Sequence, residues 1–390
     1  MTNVVSLSEC CTFIKDGTHG SPARTRVGIP VLSAAHVRDG LLHFDTDRFT
    51  SDEELITFQK RLKPAPGDVL LTIVGTIGRT AIIDREKPFV FQRSVCVLRP
   101  KKDVVISAYL KSALESDGVK SQFHAEKHEV AQAGIYLEAL NEIKIPLPPL
   151  SEQVRITALI DKADRLRRTR RYALELTDTF LPAAFLELFG DPTTNPLGLP
   201  VAELGDFLSF VTSGSRGWAD YYVPKGARFI RSLDVRMNSI SDEDAVFVNP
   251  PNGAEAERTR VIPGDVLLTI TGSRIGRVAS VPERLNGAFI SQHVAILRLK
   301  AGLIPEFLSM FLSLNAGGQR QIARLQYGQS KPGLNLDQIR EMRVPVPQIS
   351  QQQRFLKLVE RAKHQRAVQR EALRQAEHLL ASLLHRAFSS

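Results

Sequence analysis

Residues 151–189 read SEQVRITALIDKADRLRRTRRYALELTDTFLPAAFLELF, and residues 350–388 read SQQQRFLKLVERAKHQRAVQREALRQAEHLLASLLHRAF. In the first stretch, steps of three and four residues give Ile156, Leu159, Ala163, Leu166, Arg170, Ala173, Thr177, Phe180 and Ala184. In the second they give Phe355, Val359, Ala362, Arg366, Gln369, Leu373, Ala376, Leu380, Leu383 and Ala387. Spacing of this kind, held so long, marks a coiled-coil seam. Each stretch opens on a serine suited to cap a helix, with prolines close upstream that forbid an earlier start. The expectation is two helical rods of roughly 57 Å packed on each other. The alternative is a pair of amphipathic helices that each cap a separate domain. Pro182 has no N–H for the carbonyl of Asp178, which predicts a kink or an end of the first rod there.

The rods are part of a repeat with a period of about 197–199 residues. Pro66-Gly-Asp-Val-Leu-Leu-Thr-Ile73 is identical to Pro263-Gly-Asp-Val-Leu-Leu-Thr-Ile270. Ile77-Gly-Arg79 matches Ile275-Gly-Arg277 after a one-residue shift, and Val95-Cys-Val-Leu-Arg99 matches Val294-Ala-Ile-Leu-Arg298. The chain therefore reads as a tandem duplication of a globular domain followed by a helix. The expected boundaries are a domain over 1–145, a helix over 146–190, a linker over 191–200, a domain over 201–345 and a helix over 346–390. Short β-branched strands at Val69–Val74, Val95–Leu98, Val266–Ile270 and Val294–Leu299 alternate with helical stretches at Ser107–Lys120, Gln122–Val130 and Pro305–Ser313. The fold class is mixed α and β, of the α+β type.

With 43% hydrophobic and 24% charged residues, the composition is that of a globular protein. No apolar run approaches a membrane span, and the N-terminus lacks the layout of a signal peptide. Cys10, Cys11 and Cys96 show no CxxC spacing and read as buried thiols in a reducing cytoplasm. The net charge of +9 favours an anionic partner. Residues 151–190 carry +1 of it and residues 350–390 carry +5, so any nucleic-acid face on the domains is a local patch.

No phosphate-binding glycine loop or dinucleotide fingerprint is present. His124 and His128 are four residues apart, but the glutamate between them is misplaced for a zinc site, and they read as a solvated helix face. Asn249-Pro-Pro-Asn252 lacks the aromatic residue that would stack on a flipped base and reads as a surface turn. Neither a catalytic centre nor a metal site is expected. What remains is polar loop chemistry at matched places. Thr18 and His19 correspond to Ser215 and Arg216; Thr76 and Arg79 to Ser273, Arg274 and Arg277; Gln92 and Arg93 to Gln292 and His293. Basic clusters occur at Lys60, Arg61 and Lys63, at Arg228, Arg231 and Arg236, and at Arg258 and Arg260. Gln329, Ser330 and Lys331 precede Gly333. Arg and Gln suit guanine and adenine edges, Lys and Ser/Thr suit phosphates, and glycine permits close backbone approach. The alternative for any one of these is a solvated loop.

On Ile145-Pro-Leu-Pro-Pro-Leu-Ser-Glu-Gln153, Leu188-Phe-Gly-Asp-Pro192, the two Pro-Gly-Asp blocks and Val344-Pro-Val-Pro-Gln-Ile-Ser-Gln-Gln-Gln353, the chain resembles the specificity subunits of type I restriction–modification systems. The resemblance implies two target recognition domains, each reading half of a bipartite DNA site. It implies two helices paired antiparallel, which set the spacer and dock two methyltransferase subunits. Motor-nuclease subunits would join for cleavage. S-adenosylmethionine, and Mg/ATP for cleavage, would then sit on partner subunits, with no catalysis by this chain. Because the matched loops differ between halves, the target is expected to be asymmetric. Rival readings are a coiled-coil scaffold for two protein-binding domains with no DNA role, and a self-sufficient methyltransferase or nuclease.

Overall fold

The computed structural model describes residues 3–126, 128–130, 132–326 and 333–388. They form two compact units, Met1–Arg171 with Arg370–Ser390, and Tyr172–Gln369. Each contains strands, short helices and a segment of both long helices.

In the first unit an antiparallel four-stranded sheet runs in the order Cys11–Asp16, Val95–Pro100, Val69–Thr72, Thr80–Ile82. Successive side chains in a strand point to opposite faces. Here the alternation separates two cores. Val69, Leu71, Cys96 and Leu98 pack with the helix Ser107–Leu114, while Leu70, Val95 and Val97 pack with Phe58, Val90 and Phe91 on the other face. Both faces are covered, so the strand reads as an unbroken apolar run. The second unit repeats the arrangement in the order Leu208–Ser213, Val294–Leu299, Val266–Thr269, Val278–Ser280. Val266, Leu268, Ala295 and Leu297 face one core; Leu267, Val294 and Ile296 face the other.

The identical Pro-Gly-Asp blocks start these central strands. Gly67 (φ +93°) and Gly264 (φ +86°) take the left-handed conformation that the turn requires. The Asp68 carboxylate accepts the N–H of Ala65 at 2.8 Å and pairs with Arg99 at 2.7 Å. Asp265 repeats both contacts, with the N–H of Ile262 at 2.9 Å and with Arg298 at 2.7 Å. Hydrogen bonding to these carboxylates holds the Arg99 and Arg298 guanidinium groups above their ordinary pKa. Turn, cap, strand and cross-strand ion pair form one folding module, used twice.

The long helices span Leu150–Phe189 and Ile349–Phe388. Their pairing is antiparallel within each unit. In the first unit, Ile156 and Ile160 share a core with Leu380, Leu383, Leu384 and Phe388. Arg171 also meets Glu377 at 3.3 Å there. In the second unit, Phe185 and Phe189 pack on Phe355, and Asp178 meets Arg366 at 2.9 Å.

Along the C-terminal helix Phe355, Val359 and Ala376 are buried, and Ala362, Leu373, Leu380 and Leu383 are half-buried. The central helix differs from the expected stepping. Ala163 is buried and Ile156 and Ala173 half-buried, but Leu159, Leu166 and Phe180 are exposed. The covered positions are Ile160, Arg167 and Leu181, one residue further on. The reason lies at the two ends. Fully buried Gln153 and Phe185 set the rotation of the helix, and a stepping started at Ile156 alone cannot detect that. Nor does Pro182 end this helix, which continues to Phe189. Burial of Phe185 and Phe189 in an aromatic cluster with Phe307 offsets the one lost backbone bond.

Two smaller expectations also change. The helix expected over Gln122–Val130 is Asp117–Ala125, and His128–Val130 pairs instead with Gln132–Gly134 as a hairpin, so His124 and His128 do not share a helix face. The run Ser107–Lys120 is two helices, broken where Ser116 caps the second. The three cysteines are free and buried, and desolvation pushes the Cys96 thiol well above its ordinary pKa. Among the described residues no helix is long and apolar enough to cross a membrane.

Candidate nucleic-acid interface

Antiparallel pairing determines which loops meet. In the first unit Cys96 lies opposite Asp16, and Val95 opposite Thr72. The chain leaving Asp16, leaving Thr72 and entering Val95 therefore emerges at one end of the sheet. These segments carry Thr18, His19, Thr76, Arg79, Gln92 and Arg93. In the second unit Ala295 lies opposite Ser213 and Val294 opposite Thr269, which gathers Ser215, Arg216, Ser273, Arg274, Arg277, Gln292 and His293 in the same way.

The first of these loops is fastened to its own domain. Thr18 bridges Gln92; its N–H donates to the Phe91 carbonyl at 2.9 Å, and its carbonyl accepts from Arg93 N–H at 3.0 Å. A Cβ on Gly17 would overlap the Phe91 carbonyl, and one on Gly214 the backbone of Ile290 and Ser291. The close backbone approach that these glycines permit is to the chain's own strand. Arg61 donates to the Gly17 carbonyl at 2.6 Å and to the Asp16 carboxylate, whose other oxygen lies 2.9 Å from His19 Nε2. In the second unit Ser215 bridges Ser291, and Arg258 holds the loop through the Thr212 hydroxyl and the Ser213 carbonyl (2.8 Å).

Several candidates therefore act as braces. Arg61 is committed to Asp16. Arg231 chelates Asp234 at 2.9 and 3.3 Å, and that hydrogen bonding raises its pKa; Arg228 reaches the same buried carboxylate at 3.2 Å. Ser215 is buried. The Gln292 amide meets His293 Nε2 at 3.3 Å. His19, Lys60, Lys63, Thr76, Arg79, Arg93, Arg216, Arg236 and Ser273 are exposed at the surface. Gln329, Ser330 and Lys331 lie outside the described residues.

One pair of residues carried more structure than its motif suggested. Gln153 and Gln352, fully buried, occupy matched positions at the start of each long helix. Gln153 accepts the N–H of Ile106 (3.0 Å) and donates to the carbonyls of Val104 and Pro148 (both 2.9 Å). Gln352 accepts from Ile304 (2.8 Å) and donates to Gly302 and Pro347 (both 2.9 Å). The signal was their recurrence in the proline-rich approach to each helix.

Comparison with known proteins agrees with this architecture. The family model for the type I restriction modification DNA specificity domain matches residues 3–176 and 237–373. The EcoBI specificity subunit of Escherichia coli is 28% identical over 166 residues, which cover 40% of this chain and 35% of that protein. A putative type I specificity subunit of Haemophilus influenzae is 30% identical over 135 residues, a third of each chain. The match thus spans about a third of the length of these relatives. The MjaVIII specificity subunit of Methanocaldococcus jannaschii aligns over 91% of this chain and 84% of its own length at 19% identity. Among solved structures, the type I system S subunit from M. genitalium covers 100% of this chain and 96% of its own, with TM-score 0.61 and 14% identity. A chain from a structure of type I R-M system assembly covers 99% and 97%, with TM-score 0.59 and 17% identity. At those identities the likeness is one of fold: two mixed α and β units, each with a segment of both long helices. The family model covers well over half of the sequence, and the chain belongs to the type I restriction–modification DNA specificity family.

Proposed function

We propose that this chain is the sequence-reading subunit of a cytoplasmic type I restriction–modification complex and performs no catalysis itself. Each globular domain reads one half of an asymmetric bipartite target in double-stranded DNA. The paired helices set the spacer and dock two methyltransferase subunits. Motor-nuclease subunits join through the complex, and S-adenosylmethionine, Mg and ATP act on those partners.

The observation that carries this reading is the gathering of matched but non-identical polar loops at the same sheet end of both units. Matched positions suit a shared way of approaching the duplex; different side chains suit different bases. Support for docking comes from exposed apolar side chains on the central helix, including Leu159, Leu166, Leu176 and Phe180. An amphipathic helix of this kind suits a partner groove.

The test is retention on duplex DNA by the chain assembled with its methyltransferase subunits, measured across salt concentrations. Neutralised phosphates give a steep fall of binding with salt. A flat response would favour a protein scaffold instead. Purified chain alone, given labelled S-adenosylmethionine and mixed-sequence DNA, is expected to transfer no label.

A further inference from the structure

The two units differ in how they treat the arginines at their candidate faces. In the second unit the hairpin Val235–Arg236 with Ser239–Ile240 lies against the strand that follows Arg277, because Asn238 N–H donates to the Val278 carbonyl at 2.8 Å. Arg274 reaches the same segment, with Nη1 3.1 Å from the Leu233 carbonyl. Arg236, Arg274 and Arg277 are thus brought together from two loops. Arg277 Nη1 is buried and has no hydrogen-bond partner among the described residues. Desolvation, then the neighbouring Arg274 and Arg236 charges, push the Arg277 guanidinium below its ordinary pKa. The nearby buried carboxylate, Asp234, is already taken by Arg228 and Arg231. Glu243 stands 3.8 Å from Arg236 and is largely exposed. A crowded cation with an idle donor calls for an anion.

The first unit is built otherwise. Arg274 is the residue inserted when the second copy of this loop is laid over the first, so it has no counterpart between Thr76 and Ile77. Arg38, at the position of Arg236, lies 2.6 Å from Asp45. Arg38 and Arg79 line a cavity of about 650 Å³ whose walls also hold the cations Lys111, Lys120 and Arg167 and the carboxylates Asp39, Glu115, Asp164 and Glu377. Arg38, Lys111 and Arg167 are already paired with the chain's own carboxylates, Lys111 with Glu115 at 3.1 Å and Arg167 with Asp164 at 2.6 Å.

We infer that Arg236, Arg274 and Arg277 of the second unit form a clamp for one backbone phosphate of duplex DNA, a contact the first unit lacks. The inference rests on the DNA-reading role proposed above and adds an asymmetry to it. The second domain thereby gains one charge-driven anchor at a point that carries no sequence information.

The experiment uses the assembled complex with mixed-sequence duplexes across a salt series. In the double variant Arg274→Gln/Arg277→Gln, the slope of log K against log salt is expected to become shallower by about 0.9, the value of one phosphate contact. Binding should weaken by the same factor on every duplex, and the methylated motif should not change. Arg38→Gln, on a guanidinium that Asp45 already pairs, should leave the slope as it was. If the double variant unfolds, Arg236→Gln, on an exposed side chain, makes the same test. An unchanged slope, an equal loss from Arg38→Gln, or a loss confined to one DNA sequence would overturn the clamp. A wild-type complex with no salt slope would instead overturn the DNA role beneath it.

Discussion

At the scale of the residue, the repeat is explained by what its polar side chains hold together. Asp265 is buried completely whereas Arg298 is partly exposed. Removing the arginine strands a carboxylate in the interior, which is the costlier half of the pair to lose. Arg298→Met is therefore expected to cost about 3–5 kcal/mol in chemical unfolding. Asp265→Asn, which keeps an acceptor for Ile262 N–H, should cost clearly less. Gln352→Ala leaves one N–H and two carbonyls without their partner, and about 3 kcal/mol is expected from the same measurement. The binding-site candidates are harder to rank from sequence. Arg61 and Arg79 look alike on paper and both reach the surface, yet Arg61 is tied to the buried Asp16.

At the scale of the element, the long helices separate stability from assembly. Leu380 packs into the first unit's core beside Leu383 and Leu384. Leu380→Asp sets a charge against that core from a half-buried position and should lower the thermal midpoint or cause aggregation. Phe180 lies on the same pair of helices but is exposed. Phe180→Asp should leave the midpoint within a degree or two while abolishing co-purification with methyltransferase subunits; retained co-purification would place the docking surface elsewhere. Pro182→Ala restores an N–H facing the Asp178 carbonyl and is expected to stabilise the helix by about 1–3 kcal/mol, read as a higher unfolding midpoint. The expected stepping of the C-terminal helix coincides with its covered face, because Phe355 anchors that helix at the first position of the pattern. In the central helix the anchors are Gln153 and Phe185, and the apolar pattern was phased one residue early at Leu159, Leu166 and Phe180.

At the scale of the whole molecule, duplication followed by divergence accounts for two units with one plan and unequal surfaces. If the domains read independently, replacing residues 1–145 with another recognition domain should alter one half of the methylated motif and leave the other intact. Sequencing of methylated DNA from a host carrying the assembled system reads this directly. A change in both halves would contradict modular reading.

The sequence by itself determined the duplication, the fold class and the two long helices. Each is written in local patterns: a turn glycine before an apolar run, prolines just before each long helix, apolar residues at steps of three and four. The serines Ser151 and Ser350, expected as caps, lie one residue inside helices that start at Leu150 and Ile349. Only the tertiary structure decided which arginines are braces and which stand at the surface, and how the central helix is turned about its axis. A side chain's partner is set by residues distant in the chain, as Asp16 is for Arg61 and Asp45 for Arg38, and no local pattern encodes which carboxylate will stand within reach of which cation.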